Sequence, residues 1–153
     1  MNGLDLCLVV GYGNTQRRDD GLGPAVVTGV ESRLKDQAGV RLITRPQLDL
    51  DLIEDLKEAQ TIILLDATVE SLEGGRRWER VIPDVSDVSY MTHSISPEFL
   101  LGVLESVHRR RPDAWLVSIQ GDDFGFGEEL TPAAASRARR VMTELVEFVV
   151  KEE

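Results

Sequence analysis

The chain has one cysteine and two histidines, and acidic residues outnumber basic ones 27 to 17. A single cysteine, Cys7, excludes an intramolecular disulfide, and its place inside an apolar run assigns it to the core. No apolar stretch approaches the roughly 18 residues of a membrane span, so no membrane partner is expected. The first apolar run is too short for a signal peptide and lacks a basic segment before it, which leads to a cytoplasmic expectation. A formal charge of −10 repels phosphate backbones, so nucleic acid is not expected as a partner. The two basic clusters, Arg109-Arg110-Arg111 and Arg137 with Arg139 and Arg140, fall at a helix end and on a helix face, where cations are solvated or complement the helix dipole.

Several catalytic signatures are missing too. There is no His-Glu-x-x-His pair and no Cys-x-x-Cys, which argues against a standard zinc hydrolase or a structural zinc site. No Gly-x-Ser-x-Gly elbow offers a serine nucleophile. Gly11-Tyr12-Gly13-Asn14-Thr15-Gln16 begins like a dinucleotide fingerprint, but its sixth position is glutamine. Thr44-Arg45-Pro46 stands where a ribose-binding acid would follow the second strand, so NAD binding is not expected.

What remains is an alternation of strands and helices. The 153 residues suit one domain spanning 1–153, and a monomer is expected. Strands are predicted at Leu6 to Tyr12, Val40 to Thr44, Thr61 to Leu65, Trp78 to Ile82 and Ala114 to Ile119, the fourth at an edge because Arg and Glu alternate with Trp and Val. Helices are predicted at Pro24 to Lys35 and at Asp49 to Ala59, with Leu50, Ile53 and Leu56 on one face. A third begins at Pro97, capped by Ser96 and stopped by Pro112, and a fourth begins at Pro132, capped by Thr131. The fold class is therefore α/β: a single three-layer sandwich, phosphorylase/hydrolase-like, with a mostly parallel, twisted, five-stranded sheet and helices on both faces.

In open α/β sheets ligands gather outside the carboxyl ends of the strands. That criterion selects Asn14, Asp19 and Asp20 after the first strand, Asp66 after the third, and His93 in the loop before the third helix. Carboxylates and an imidazole from separate loops suit a cation such as nickel or zinc. The glycines at 11, 13, 21 and 23 are expected to keep a narrow, backbone-lined cleft floor for an extended peptide.

The run V-V-G-Y-G-N-T-Q-R-R-D-D-G-L-G-P from Val9 to Pro24, I-I-L-L-D-A-T around Asp66 and T-H-S-I-S-P before the third helix resemble the hydrogenase maturation proteases. Members of that family trim the C-terminal extension of the nickel-containing large subunit. The likeness runs nearly the full length. It implies a metal-binding and catalytic triad of Asp20, Asp66 and His93, with Glu98 as the alternate third ligand because other members carry their histidine there. It implies nickel supplied by the substrate, and a hydrogenase large-subunit precursor as partner. Gly11, Gly13, Asn14 and Asp19 would bind substrate, Asp19 serving either to orient the loop or as a base. The Arg45-Pro46-Gln47-Leu48 loop looks more like members serving bidirectional, NAD-linked hydrogenases. Two rivals stand beside this reading. One is a non-catalytic scaffold that senses the nickel site of the precursor. The other is peptidyl-tRNA hydrolase, whose Arg-His-Asn element is replaced here by Arg-Asp-Asp at 18–20.

Overall fold

The computed structural model describes residues 5–86 and 95–151. Five strands form one sheet in the order β2-β1-β3-β5-β4. They are β1 (Cys7–Tyr12), β2 (Val40–Arg45), β3 (Thr61–Thr68), β4 (Arg76–Arg80) and β5 (Asp113–Gln120). The first, second, third and fifth run parallel, and β4 is antiparallel to β5 at the edge, as its alternating charges predict. The helices are α1 (Leu22–Leu34), α2 (Ile53–Leu56), α3 (Pro97–His108) and α4 (Pro132–Lys151).

Strand alternation divides the core in two. Val9, Ile63, Leu65 and Val117 face α1 and α4, packing with Val26, Val30, Val141 and Leu145. Leu8, Val10, Ile62 and Leu64 face α2 and α3, packing with Leu52, Leu56, Leu100 and Leu104. Covering both faces is what a parallel sheet requires, and it explains why the central strands read as unbroken apolar runs. Among the described residues no helix is long and apolar enough to cross a membrane.

Several boundaries differ from expectation: the fourth strand is Arg76–Arg80 and not Trp78 to Ile82, the first helix is Leu22–Leu34 and not Pro24 to Lys35, and three further differences have clear local causes. The helix predicted over 49–59 is a 3-10 turn, Leu50–Leu52, followed by the four residues of α2. Asp49 caps the turn by accepting from the Asp51 amide at 3.0 Å. The chain then leaves the helix because the Ala59 amide bonds back to Leu56 O and the Gln60 amide bonds Leu6 O, which starts β3 beside β1. Leu50, expected on the apolar face, is exposed. The third helix ends at His108, before Pro112, because Arg109 takes a left-handed conformation (φ 57°) and its amide bonds Glu105 O. The third strand runs past Leu65 to Thr68, so Asp66 lies inside it, opposite Ser118 of β5. The two predicted caps hold: Ser96 Oγ accepts from the Phe99 amide at 3.0 Å, and Thr131 Oγ1 from the Ala134 amide at 3.4 Å.

The topology locates the crevice. The chain steps from β1 through α1 to β2 on one side, then returns through α2 to β3 on the other side of β1. Strand order therefore reverses at β1, and the carboxyl ends of β1 and β3 flank the switch point where such sheets bind ligands.

Candidate active site

Backbone geometry places the first loop. Gly13, at φ 148°, turns the chain out of β1, and a Cβ there would lie 2.0 Å from Asp20 O. The loop runs through Arg17 into a 3-10 turn, Arg18–Gly21, that carries both aspartates and leads into α1. Gly11 and Gly23 do a different job from the cleft floor expected of them. A Cβ on Gly11 would meet Gly23 O at 2.3 Å, and one on Gly23 would meet Leu65 O at 2.4 Å and Tyr12 N at 2.8 Å. Their missing side chains let α1 lie directly on β1 and β3. Gly13 and Gly21, by contrast, line the surface clefts described below.

The two adjacent carboxylates part company. Asp19 has no exposed surface. Its oxygens accept from the amides of Asp122 at 2.8 Å, Asp123 at 3.1 Å and Thr131 at 2.8 Å, and from the Thr131 hydroxyl at 2.8 Å. Burial alone would raise its pKa; these hydrogen bonds outweigh it and hold the carboxyl below its ordinary range. A carboxylate enclosed and saturated in this way faces the 121–131 loop and not the crevice, so the substrate-binding and base roles considered for Asp19 have no geometric basis here. Asp20 is half-buried, and its Oδ2 accepts from the Asn14 amide at 2.7 Å. Asn14 in turn closes the loop with its own Oδ1, which accepts from the Gln16 amide at 2.8 Å.

Asp66 meets Asp20 at the switch point. In the β1/β3 register Gly11 lies opposite Leu65, so the next pair is Tyr12 and Asp66, on the α2/α3 face. The Tyr12 hydroxyl and the Asp66 carboxylate therefore lie on neighbouring strands and the same face, and each acts on the other's charge state. Burial pushes the Asp66 pKa up to about 7; the Tyr12 hydroxyl opposes the rise, and the Asp20 charge adds to it. Tyr12 is itself held protonated by burial, by Asp66, and by the charge of Glu98 at the start of α3. Tyr12, Asp20, Asp66 and Glu98 thus form one electrostatic cluster. Sequence reasoning passed over Tyr12 as a site residue; the available signal was its place, one step after Gly11 on the strand that pairs with the Asp66 strand.

His93 lies outside the described residues, as does Ser94. Among the described residues no three His, Cys, Asp or Glu side chains are grouped to hold a metal ion. Along the loop after β1, a cleft of about 250 Å³ is lined by Gly13, Asn14, Thr15, Pro24, Arg45 and Pro46, and neither Asp20 nor Asp66 lines it. A second, of about 350 Å³, shares Thr15 and Pro24 with it and reaches Arg18, Glu128 and Leu130.

The fold is found in solved structures. The NiFe hydrogenase maturation protease HycI of Thermococcus kodakarensis superposes with a TM-score of 0.74 at 18% identity, over 96% of this chain and 94% of that one. The hydrogenase maturating endopeptidase HybD of Escherichia coli gives 0.72 at 21% identity, over 96% and 93%. The hydrogenase 2 maturation peptidase of a Thaumarchaeota archaeon gives 0.67 at 23% identity, over 95% and 98%. The chain folds as the hydrogenase maturation proteases do. No protein-family model matches the sequence, and no curated protein does. The maturation-protease fold is therefore preserved at identities where side chains have largely been exchanged.

Proposed function

We propose that this chain is an endopeptidase that removes the C-terminal extension of a hydrogenase large-subunit precursor in the cytoplasm, with nickel carried in by the substrate. The observation behind this reading is the convergence of Asp20 and Asp66, from separate elements, at the switch point of a fold shared with maturation proteases over nearly its full length. The charge of Asp20 disfavours ionisation of Asp66, and a divalent cation held by both carboxylates would relieve that repulsion.

Asp20 and Asp66 are the ligands offered to the precursor's nickel, and the third is assigned to His93, because Asp20, Asp66 and Glu98 are not grouped to hold a metal ion. Held there, the substrate's metal would supply Lewis-acid chemistry, polarising the scissile carbonyl and lowering the pKa of a water. The chain's own residues orient the reactants: Asn14 holds Asp20 in place, and the clefts on either side of Thr15 and Pro24 receive the extended peptide beside the cation. Cleavage that waits for nickel makes the enzyme a checkpoint on metal insertion.

The test is to mix the purified protein with nickel-loaded and nickel-free large-subunit precursor and to follow precursor mass. Loss of a C-terminal peptide from the loaded form alone is the expected result. Binding without a change of mass overturns the protease in favour of a scaffold, and release of peptide and free tRNA from peptidyl-tRNA would make the chain a tRNA enzyme.

A further inference from the structure

Arg17 and Arg18 are neighbours that the fold uses differently. Arg17 braces the 121–131 loop: its Nε donates to Phe124 O at 3.1 Å, and its guanidinium lies over the Phe126 ring, 5.2 Å from the centroid. The Arg18 side chain makes no hydrogen bond to the described residues. The acid nearest to it is Asp123, whose Oδ2 lies 3.6 Å from Nε, and the two side chains are 39% and 51% exposed. A pair this long and this solvated contributes little.

Arg18 nevertheless sits in a conformation that costs energy. Its φ of 44° is left-handed, a region that residues with a Cβ avoid. The bond made by the backbone there, from the Arg18 amide to Gly127 O at 2.8 Å, needs only an amide, and a glycine would supply it without strain. The facing loop also leaves room for the side chain. A Cβ on Gly127 would lie 3.2 Å from Arg18 Nε and 3.3 Å from its Cγ, so a larger residue would press on the arginine. Strain of this kind beside a candidate site points to a role for the side chain that is kept there.

That side chain lines the cleft of about 350 Å³ between the start of α1 and residues 128–130. Thr15, Pro24, Ala25 and Leu130 give the cleft a small, largely apolar wall, and its charged lining residues are Arg18 and Glu128. Glu128 is already engaged, with Oε2 accepting from Gln16 Nε2 at 3.3 Å. The Arg18 guanidinium turns its Nε toward Asp123 and keeps its Nη donors for a ligand. Its planar fork matches a carboxylate, the anion that a peptide carries. In a chain of net charge −10, such a cation offsets the repulsion that a peptide carboxylate would otherwise meet.

We propose that Arg18 is a substrate-binding residue whose guanidinium holds a carboxylate of the peptide lying in this cleft, either an acidic side chain of the C-terminal extension or its terminal carboxylate. The inference rests on the peptide-cleaving reading given above and adds the chemistry by which the extension is recognised.

Arg18→Gly removes the guanidinium and suits the left-handed backbone. With nickel-loaded precursor the expected result is a KM higher by about 10-fold or more and a kcat within about two-fold, while the melting temperature stays level or rises. An unchanged KM overturns the inference and leaves the protease reading intact. A marked fall in melting temperature also overturns it, because Arg18 would then be a loop brace like Arg17. Synthetic peptides spanning the extension, titrated calorimetrically into the unmodified protein, identify the carboxylate. Weaker binding after amidation of the C-terminus assigns the terminal carboxylate, and weaker binding after Asp or Glu is replaced by Asn or Gln assigns a side chain. Binding indifferent to both changes overturns the inference. If the unmodified protein does not trim the precursor, the protease reading fails, and the peptide titration decides the inference alone: affinity that falls with Arg18→Gly supports it, and equal affinity or no binding overturns it.

Discussion

Asp19 and Thr131, far apart in sequence, are joined by two hydrogen bonds, from the Thr131 amide to Asp19 Oδ1 and from its hydroxyl to Oδ2, each at 2.8 Å. The same hydroxyl accepts from the Ala134 amide at the start of α4, so the carboxylate, the cap and the helix form one chain of bonds. The two loops also pair along their backbones, Arg18 N with Gly127 O at 2.8 Å and Gly127 N with Gln16 O at 2.9 Å. The loop that presents Asp20 is therefore braced by a loop more than a hundred residues later.

Asp19→Ala should destabilise the fold by about 3 kcal/mol or more, since it leaves the buried amides of Asp122, Asp123 and Thr131 without their acceptor. Urea unfolding measures the loss, and hydrogen exchange should show those three amides losing protection before the β1 amides do. Because the folded pKa of Asp19 is lowered, its contribution is complete above the ordinary carboxylate pKa and disappears as pH falls through the lower folded value. Acid should therefore open the 121–131 loop in the unmodified protein, and protection of these amides that persists unchanged in acid would contradict the assignment.

Gly11→Ala and Gly23→Ala should each destabilise by at least about 2 kcal/mol, because the new methyl meets backbone atoms that cannot yield without moving α1 off the sheet. Gly125→Ala is the control. Its nearest neighbour would be an Asp123 carboxylate oxygen at 3.1 Å, and its backbone needs no left-handed conformation. Thermal melts of the three variants should separate the first two from the third.

Asp66→Asn should raise stability in the metal-free protein at pH 8. Burial pushes the folded pKa up to about 7 from an ordinary carboxylate value of 3.8, so the native state holds a proton that the unfolded state has lost across this interval. Stability of the unmodified protein then falls as pH rises from about 4 to 7, and above that range the charged carboxylate costs roughly 2–4 kcal/mol. Asparagine carries no charge to be desolvated or repelled by Asp20. Melting curves at pH 4 and pH 8 should show the variant more stable at pH 8 and the difference closing at pH 4. A constant difference at both values would remove the pKa assignment.

The central strands and the site end of the sheet were legible because their causes are local. Buried parallel strands must be apolar on both faces, and Ile62 to Leu65 declare this directly; Asp66 then interrupts the run. What escaped depends on distant partners. Asp19 and Asp20 are identical neighbours in sequence, and only the 121–131 loop shows how firmly the first is enclosed. Tyr12 gains its meaning from the register of β1 on β3, which no periodicity within either strand contains. Leu50, Ile53 and Leu56 satisfy a helical spacing whether or not the helix is long, and it was the pairing of Gln60 with Leu6 that cut α2 short. Gly11 and Gly23 read as a cleft floor because a glycine spacing looks the same whether a peptide or a helix backbone makes the close approach.

Asp20 can be dissected by two substitutions that act on its two oxygens differently. Oδ2 is held by the Asn14 amide at 2.7 Å, which leaves Oδ1 for a ligand. Asp20→Asn keeps an oxygen able to accept from Asn14, so the loop should stay closed and stability should change by less than about 1 kcal/mol, but the anionic ligand is gone. Asp20→Ala removes both and should cost about 1–2 kcal/mol more by freeing the Asn14 amide. In the nickel-loaded precursor assay both should fall by at least about 100-fold, with only the alanine variant also losing thermal stability and loop protection. Equal activity of Asp20→Asn and the unmodified protein would show that Asp20 is only a loop brace, as Asp19 is.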